Sequence, residues 1–273
     1  MYTVRAGIKT TIIASGESAL ERAKEIENYY GFSSPISGRD LLNKGISQAQ
    51  RLGVEIISQE VVGIQETDAG FIVKTTNTGF PCKVVILATG ASRVKPKWKD
   101  IEAFEGMGVS YCAVCDGFFF RGKDVAVAGS GPYALHEAQT LLPIAKSVTL
   151  CTDGKALTTE FPPEIKIAGQ AVDGLEGDTA LHRIKFKDGS ALDVKGLFVA
   201  IGVAGSSDLA NSIGAEIRDG DIVVDEYMKT NVLGLLAAGD CTGGMKQIAK
   251  SVYEGAAAGT EAVRIIRKGL KND

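Results

Sequence analysis

The chain of 273 residues has only two histidines, His136 and His182, which leaves any zinc site short of ligands. Cysteine is sparse as well: of Cys82, Cys112, Cys115, Cys151 and Cys241, just two stand close together. An odd, scattered set is a poor disulfide framework, so a disulfide-stapled secreted scaffold is set aside and a reducing compartment is expected. Charge of one sign is also lacking. With 30 Lys and Arg against 33 Asp and Glu the formal net charge is -3, which points to neither nucleic acid nor a membrane surface. No apolar run approaches the roughly 20 residues that span a bilayer. The opening Met1-Tyr2-Thr3-Val4-Arg5-Ala6-Gly7 carries no secretory pattern, so the cytoplasm is the expected location. Low-complexity stretches and short tandem repeats are missing, and repeat architectures are set aside with them.

Glycine, by contrast, is abundant at 33 residues, and many stand where an apolar run gives way to a loop, as in nucleotide-binding α/β folds. The runs 84–88, 125–128, 197–201 and 235–238 are apolar without alternation, as buried parallel strands are. Residues 148–151 read as a further strand. Asp188-Gly189 and Asp219-Gly220 predict two-residue hairpins, joining 183–187 to 190–194 and 216–218 to 221–225. A third hairpin is expected between 71–75 and 84–88 through Asn77-Thr78-Gly79. Helices are fewer. Ala134, Leu135, Ala138, Leu141 and Leu142 recur at helical spacing, and 247–267 reads as a helix with Ala249, Val252, Ala256, Ala262, Val263 and Ile266 inward. The expected class is α/β, with two Rossmann-like, three-layer domains, the second inserted in the first: residues 1–95 with 203–273, and residues 96–202.

Cys112-Ala113-Val114-Cys115-Asp116 is the sharpest motif. Two intervening residues let the sulfurs meet on one turn, so the pair can cycle between dithiol and disulfide. A carboxylic acid beside the second cysteine can move the proton that this exchange requires. Half of a zinc site and a pair of inert thiols are the competing readings. Gly129-Ser130-Gly131-Pro132-Tyr133-Ala134 lies between a buried strand and an amphipathic helix. In that setting Gly129, Gly131 and Ala134 let backbone approach a pyrophosphate at a helix N-terminus. A loop that has kept this shape and lost its ligand fits the same string. Beyond the next strand, Thr152-Asp153-Gly154-Lys155 offers no arginine for a 2′-phosphate, and none follows until Arg183. Asp153 is a candidate acceptor for a free ribose, or an ordinary turn residue, so NADPH and NADH stay open as electron sources. Gly239-Asp240 ends a buried strand ahead of the C-terminal helix. In flavoproteins an acid so placed hydrogen-bonds the ribityl chain of FAD, and the helix dipole favours negative charge on the reduced flavin. His136, beside Glu137 and Gln139, falls on the polar side of its helix and His182 at a strand start; neither is assigned chemistry.

Ala88-Thr89-Gly90, the Cys112–Cys115 pair with Asp116, the Gly129 loop and Ala237-Ala238-Gly239-Asp240 stand in one fixed order. With them, nearly the whole chain resembles the low-molecular-weight flavin thioredoxin reductases. The most specific stretch is Gly108-Val109-Ser110-Tyr111-Cys112-Ala113-Val114-Cys115-Asp116-Gly117. Glu27-Asn28-Tyr29-Tyr30-Gly31-Phe32 and Ile36-Ser37-Gly38 resemble family segments near the flavin. The resemblance implies FAD held by Asn28, Thr89, Gly90, Gly239, Asp240, Lys246, Gln247 and Ile248. It implies that Cys115 takes electrons from FAD, that Cys112 exchanges with a disulfide of thioredoxin or a thioredoxin-like protein, and that Asp116 handles the proton. A homodimer is implied too.

Three departures shape the expectation. The family opens with a strand and a G-x-G-x-x-G loop for the FAD pyrophosphate. Here residues 1–7 match the end of the helix after that loop, so about 15 residues are expected to be missing, with a weaker hold on FAD. Residues 16–21 replace a Gly-Gly-Gln segment near the flavin. The arginine-bearing NADPH motif is absent, and the following helix is expected to shorten to residues 155–163. Losses of this last kind mark the ferredoxin-linked branch, which residues 29–32 and 122–136 also resemble, making reduced ferredoxin the expected donor. The rivals are the same reductase fed by NADPH or NADH, a dithiol oxidase passing electrons to oxygen, and a non-catalytic redox sensor.

Overall fold

A computed structural model describes residues 1–15, 18–90 and 96–269. The chain divides into two compact units, one of Arg93–Ala204 and one of Met1–Ser92 with Gly205–Asp273. The crossing expected near residue 95 lies outside the described residues. The α/β class with Rossmann-like parallel sheets is the class observed.

In the unit Arg93–Ala204 a wholly parallel sheet runs in the order Lys166–Ala168, Ser147–Cys151, Asp124–Ala128, Gly196–Val199, Val109–Ser110. Its inner strands are buried on both faces, which is why they read as unbroken apolar runs. Helix Pro132–Leu141 follows the middle strand, with Pro132 at the first position, where its fixed φ suits the helix and its missing N–H is not needed. An antiparallel sheet of Val172–Gly177, Leu181–Phe186 and Ala191–Asp193 shares a core with the parallel one through Leu175, Ile184, Ala126 and Leu197. Its Asp188-Gly189 turn is wider than a two-residue hairpin. The Phe186 N–H donates to Ser190 O at 2.9 Å, and of the pair only Gly189 has positive φ, 86°. Asp188 holds this wider form by accepting the N–H and the hydroxyl of Ser190, bonds that also lower its carboxyl below the usual range. Residues 155–163, expected as a short helix, are not helical; Pro162 and Pro163 cannot continue one, and Thr158 bonds elsewhere.

In the other unit, Thr11–Ala14 pairs in parallel with Glu55–Ser58, and Val85–Leu87 with Leu235–Ala237. An antiparallel sheet joins Val61–Thr67, Gly70–Thr75 and Gly79–Cys82. The hairpin through Asn77-Thr78 therefore returns along Gly79–Cys82, not along 84–88. The Thr75 hydroxyl accepts the Asn77 and Thr78 N–H groups, so the turn closes at once and the next four residues pair. The run at 85–87 joins Leu235–Ala237, beneath the core built from Leu236, Ala258 and Ala262. Asp219-Gly220 is a two-residue turn as read, with φ of 53° and 87°.

Helix Gly38–Arg51 was not read from the sequence, although Leu42, Ile46 and Ala49 recur at helical spacing; the stripe is short, and only Gly38 and Ala49 of its residues are buried. A second signal is Ser37, whose hydroxyl caps the helix by accepting the Asp40 N–H at 3.1 Å. Helix Ile248–Lys268 buries Glu254, Ala258, Glu261, Ala262 and Ile265, while Ala249 and Val252, expected inward, are exposed. Two carboxylates move the buried face, Glu254 pairing with Lys250 and Glu261 with Arg264. Among the described residues no helix is long and apolar enough to cross a membrane.

Candidate active site

The edge strand Val109–Ser110 delivers the chain into Cys112, which caps the single helical turn Ala113–Asp116. Cys112 and Cys115 are joined as a disulfide with Cα atoms 5.4 Å apart, so the redox pair stands over the zinc and inert-thiol readings. The Cys115 N–H donates to the Cys112 sulfur at 3.1 Å, a bond that favours negative charge on that sulfur once the disulfide opens. Cys112 itself is 5% exposed. The Asp116 carboxylate accepts the Ser110 hydroxyl at 2.7 Å, and the same oxygen of Ser110 accepts the Cys112 N–H at 3.1 Å. Asp116 is thus fixed to the turn through Ser110.

The sequence reading put His136 on the polar side of its helix and singled out nothing at its neighbour Glu137. Glu137 is in fact 6% exposed, and its carboxylate accepts the Ala113 N–H at 2.7 Å. Ala113 opens a helical turn, so its amide has no partner within the turn and takes one from the neighbouring helix. The signal was positional, since Glu137 lies three residues after Ala134 and four before Leu141, on the apolar stripe. Glu105 is likewise drawn in, accepting the Tyr111 hydroxyl at 2.5 Å. Beside the disulfide lies an apolar surface of Val114, Phe118 and Phe119, the two rings 66% and 68% exposed. Phe120 alone of the three consecutive phenylalanines turns inward, onto Phe198. A tight turn cannot bury three successive side chains, and that run was the available clue.

The remaining thiols are withdrawn from chemistry. Burial first, and Asp153 second, push the Cys151 thiol up to about 12. Burial also raises Cys241 and Cys82. Cys241 spends its S–H on the carbonyls of Ala238 and Leu87, a packing role at the strand ends.

The glycine loop has structural work on every side. A Cβ on Gly129 would strike the Ala200 carbonyl and stand 2.7 Å from the Ala134 Cβ, so this pair lets strand and helix approach. At Gly131 the place of a Cβ lies 2.9 Å from the Thr158 hydroxyl. The Thr158 N–H donates to Ser130 O at 2.9 Å, laying Thr158 against the loop. Asp153, the candidate ribose acceptor, has both oxygens engaged within the fold. One accepts the Val172 N–H at 2.7 Å and the other the Trp98 indole N–H at 3.2 Å.

In the other unit the parallel strands Val85–Leu87 and Leu235–Ala237 end side by side, so Thr89-Gly90 and Gly239-Asp240 emerge at neighbouring carboxyl ends, where α/β sheets bind nucleotides. Ser206 donates to Gly90 O at 2.9 Å and bonds the Thr89 hydroxyl. Glu254 accepts the Gly239 N–H at 2.7 Å and the Thr242 hydroxyl at 2.9 Å, while Lys250 donates to Gly239 O at 2.8 Å. Asn28 donates to the Gln247 side chain at 2.8 Å, bringing these two together at the start of helix Ile248–Lys268. Lys246 and Gln247 are exposed and Ile248 is half-buried. These residues fit a flavin dinucleotide. Gly90 has positive φ with open space where a Cβ would be. Asp240 is half-buried, and no side-chain hydrogen bond occupies it among the described residues. The first N–H groups of the long helix have no side-chain cap.

A redox-active Cys-x-x-Cys in one Rossmann-like unit, in a chain whose other unit is shaped for a dinucleotide, defines a flavin-dependent disulfide oxidoreductase, with FAD as its cofactor. The chain belongs to the pyridine nucleotide-disulphide oxidoreductase family, whose profile matches residues 1–255. A thioredoxin reductase of Aquifex aeolicus is 33% identical over 99% of this chain and 88% of its own length. Among solved structures, the atypical thioredoxin reductase TRi of Desulfovibrio vulgaris Hildenborough superposes with a TM-score of 0.92 at 38% identity, covering 99% of this chain and 94% of that one. A ferredoxin-flavin thioredoxin reductase of Clostridium acetobutylicum gives 0.67 at 28% identity, covering 96% and 98%.

Proposed function

We propose that this thioredoxin reductase-like flavoenzyme passes electrons through FAD and the Cys112–Cys115 disulfide to thioredoxin or a similar small disulfide protein, and that its donor is a reduced ferredoxin. The unit of residues 1–92 and 205–273 is assigned as the FAD-binding domain, held together at the cofactor by Asn28, Thr89, Gly90, Gly239, Asp240, Lys246, Gln247 and Ile248. FAD, once bound and reduced by the donor, would supply two electrons to the disulfide. The S–S bond breaks, two protons are taken up, and Cys112 and Cys115 become thiols. Cys112 then attacks one sulfur of the partner disulfide, Cys115 resolves the mixed disulfide, and the partner leaves with the two electrons and two protons. Asp116, bonded through the Ser110 hydroxyl, holds the proton at its carboxylate during exchange. Val114, Phe118 and Phe119 form the apolar surface on which the partner docks.

The donor assignment rests on the clasp between Thr158 and the glycine loop. A pyrophosphate needs the backbone around Gly131, and Thr158 lies there instead. The likeness to the Clostridium acetobutylicum enzyme supports the same reading. The test is anaerobic reduction of the FAD-loaded protein, followed by flavin absorbance, with NADPH, NADH and reduced ferredoxin offered in turn. Bleaching by ferredoxin alone is expected. Fast bleaching by either nicotinamide overturns the assignment and makes Gly129, Gly131 and Ala134 a working site.

A further inference from the structure

We propose that Lys166, Lys146, Lys123 and Lys195, with Arg121, form a basic ridge that draws in the disulfide partner by an acidic rim on that partner. This rests on the docking role given above to Val114, Phe118 and Phe119, and it names the charge the partner carries.

The ridge follows from topology. Strands Lys166–Ala168, Ser147–Cys151, Asp124–Ala128 and Gly196–Val199 are parallel neighbours in that order, so all four begin at one end of the sheet. A lysine opens each. Lys166 is the first residue of its strand, and Lys146, Lys123 and Lys195 directly precede theirs; all four are exposed. Neighbouring strands lie about 5 Å apart, so the row spans roughly 15 Å. The Lys146 N–H donates to Lys123 O at 2.9 Å and the Lys195 N–H to Asp124 O at 2.8 Å, which fixes the row through the backbone. Like charges on adjacent strands repel, so folding gains nothing from the pattern. Acids beside the row leave positive charge in excess. Asp124 accepts from Lys146 at 3.2 Å and from the Ser147 hydroxyl at 2.6 Å, Asp193 binds Arg183 at 2.6 Å, and Glu164 stands two residues before Lys166. Ser147 and then Lys146 hold the Asp124 carboxyl below its usual range, and Lys166 adds to the pull. On a chain of formal net charge -3, the ridge is a local reversal of sign.

Its neighbours say what it meets. The Gly122 N–H donates to Ile144 O at 3.0 Å, and the place of a Cβ on Gly117 lies 3.2 Å from the Leu141 side chain, so the phenylalanine turn is laid along residues 141–146. Arg121 lies over the Phe118 ring, 5.1 Å from its centroid. The ridge therefore runs into the apolar docking surface, and a protein seated on Phe118 meets cations along that side. Rim charges of this kind raise the rate of association, are screened by salt, and leave the chemical step alone.

The FAD-loaded protein and its Lys146→Gln/Lys166→Gln/Lys195→Gln variant are reduced anaerobically with one equivalent of dithionite and mixed with an acidic thioredoxin in its disulfide form. The second-order rate of thioredoxin reduction is expected to fall about tenfold in the variant at about 20 mM salt and less than twofold at about 500 mM, with the rate at saturating thioredoxin nearly constant. Bis(2-hydroxyethyl) disulfide, small and uncharged, is expected to react equally with both proteins. Equal rates with thioredoxin at low salt, or an equal loss at both salt levels, overturn the proposal; an oligonucleotide held by the parent and released by the variant would then give the ridge to nucleic acid. A loss confined to flavin bleaching by reduced ferredoxin gives it to the donor and overturns the proposal as well. If the triple variant does not fold, the parent carries the test: its own rate is expected to fall at least about fivefold between the two salt levels, and a flat profile overturns the ridge. A parent that reduces no thioredoxin overturns the assigned function and the ridge's partner with it, whereas an active parent beside an unmoved variant overturns the ridge alone.

Discussion

Cys151 stands at the end of strand Ser147–Cys151 with no exposed surface, and its thiol is lifted from an ordinary 9.0 to about 12. The folded value lies above the unfolded one. Its contribution to stability is therefore whole below about pH 9 and is lost as pH rises through the folded value. Between pH 8 and pH 10 the loss comes to about 1.4 kcal/mol. The stability gap between the parent and Cys151→Ala, measured by urea unfolding at both pH values, is expected to close by that amount. Single residues were unevenly legible. The Cys-x-x-Cys could be read because its chemistry depends on spacing along the chain. Glu137 and Glu254 could not, because a carboxylate is buried only when something elsewhere in the fold needs its oxygens. Asp153 left two readings open, a ribose acceptor and an ordinary turn residue; in the fold its oxygens accept from Trp98 and from Val172, the latter 19 residues on.

At the scale of elements, the glycine loop shows how one motif serves two purposes. Gly129 and Ala134 are fixed by the contact of strand with helix, whatever ligand the loop holds or has lost. Gly129→Ala forces the Ala200 carbonyl to move and strains a backbone at φ 154°, so a loss of about 2–3 kcal/mol is expected. A lowered melting temperature that NADPH does not restore is the outcome to look for. Parallel strands were legible as unbroken apolar runs, since burial on both faces leaves no alternation. Register was not. The run at 85–87 was assigned to the nearest hairpin, yet it pairs with a strand 150 residues further along, and no local pattern encodes so distant a partner. Helix Gly38–Arg51 escaped although Leu42, Ile46 and Ala49 recur at helical spacing, because that stripe is short and polar side chains make up most of its 14 residues.

For the molecule as a whole, recognition of a protein partner falls to side chains that folding leaves unused. Phe118 and Phe119 make no demand on the core, so replacing both by alanine should leave thermal stability unchanged. The double variant is expected to raise the KM for thioredoxin about tenfold with kcat nearly constant, because the rings enter binding and not exchange. A matching fall in kcat, or a lowered melting temperature, would count against a docking role.

The withdrawal of Cys82, Cys151 and Cys241 has a consequence for the chain as a device. Burial raises all three thiols, and among the described residues the one linked pair is Cys112 with Cys115. Its sulfur bookkeeping is therefore binary, with one covalent switch and no shuffled states to be trapped in. After a burst of oxidant the chain has a single closed form from which to recover, and its readiness is set by the poise of its surroundings and not by its history.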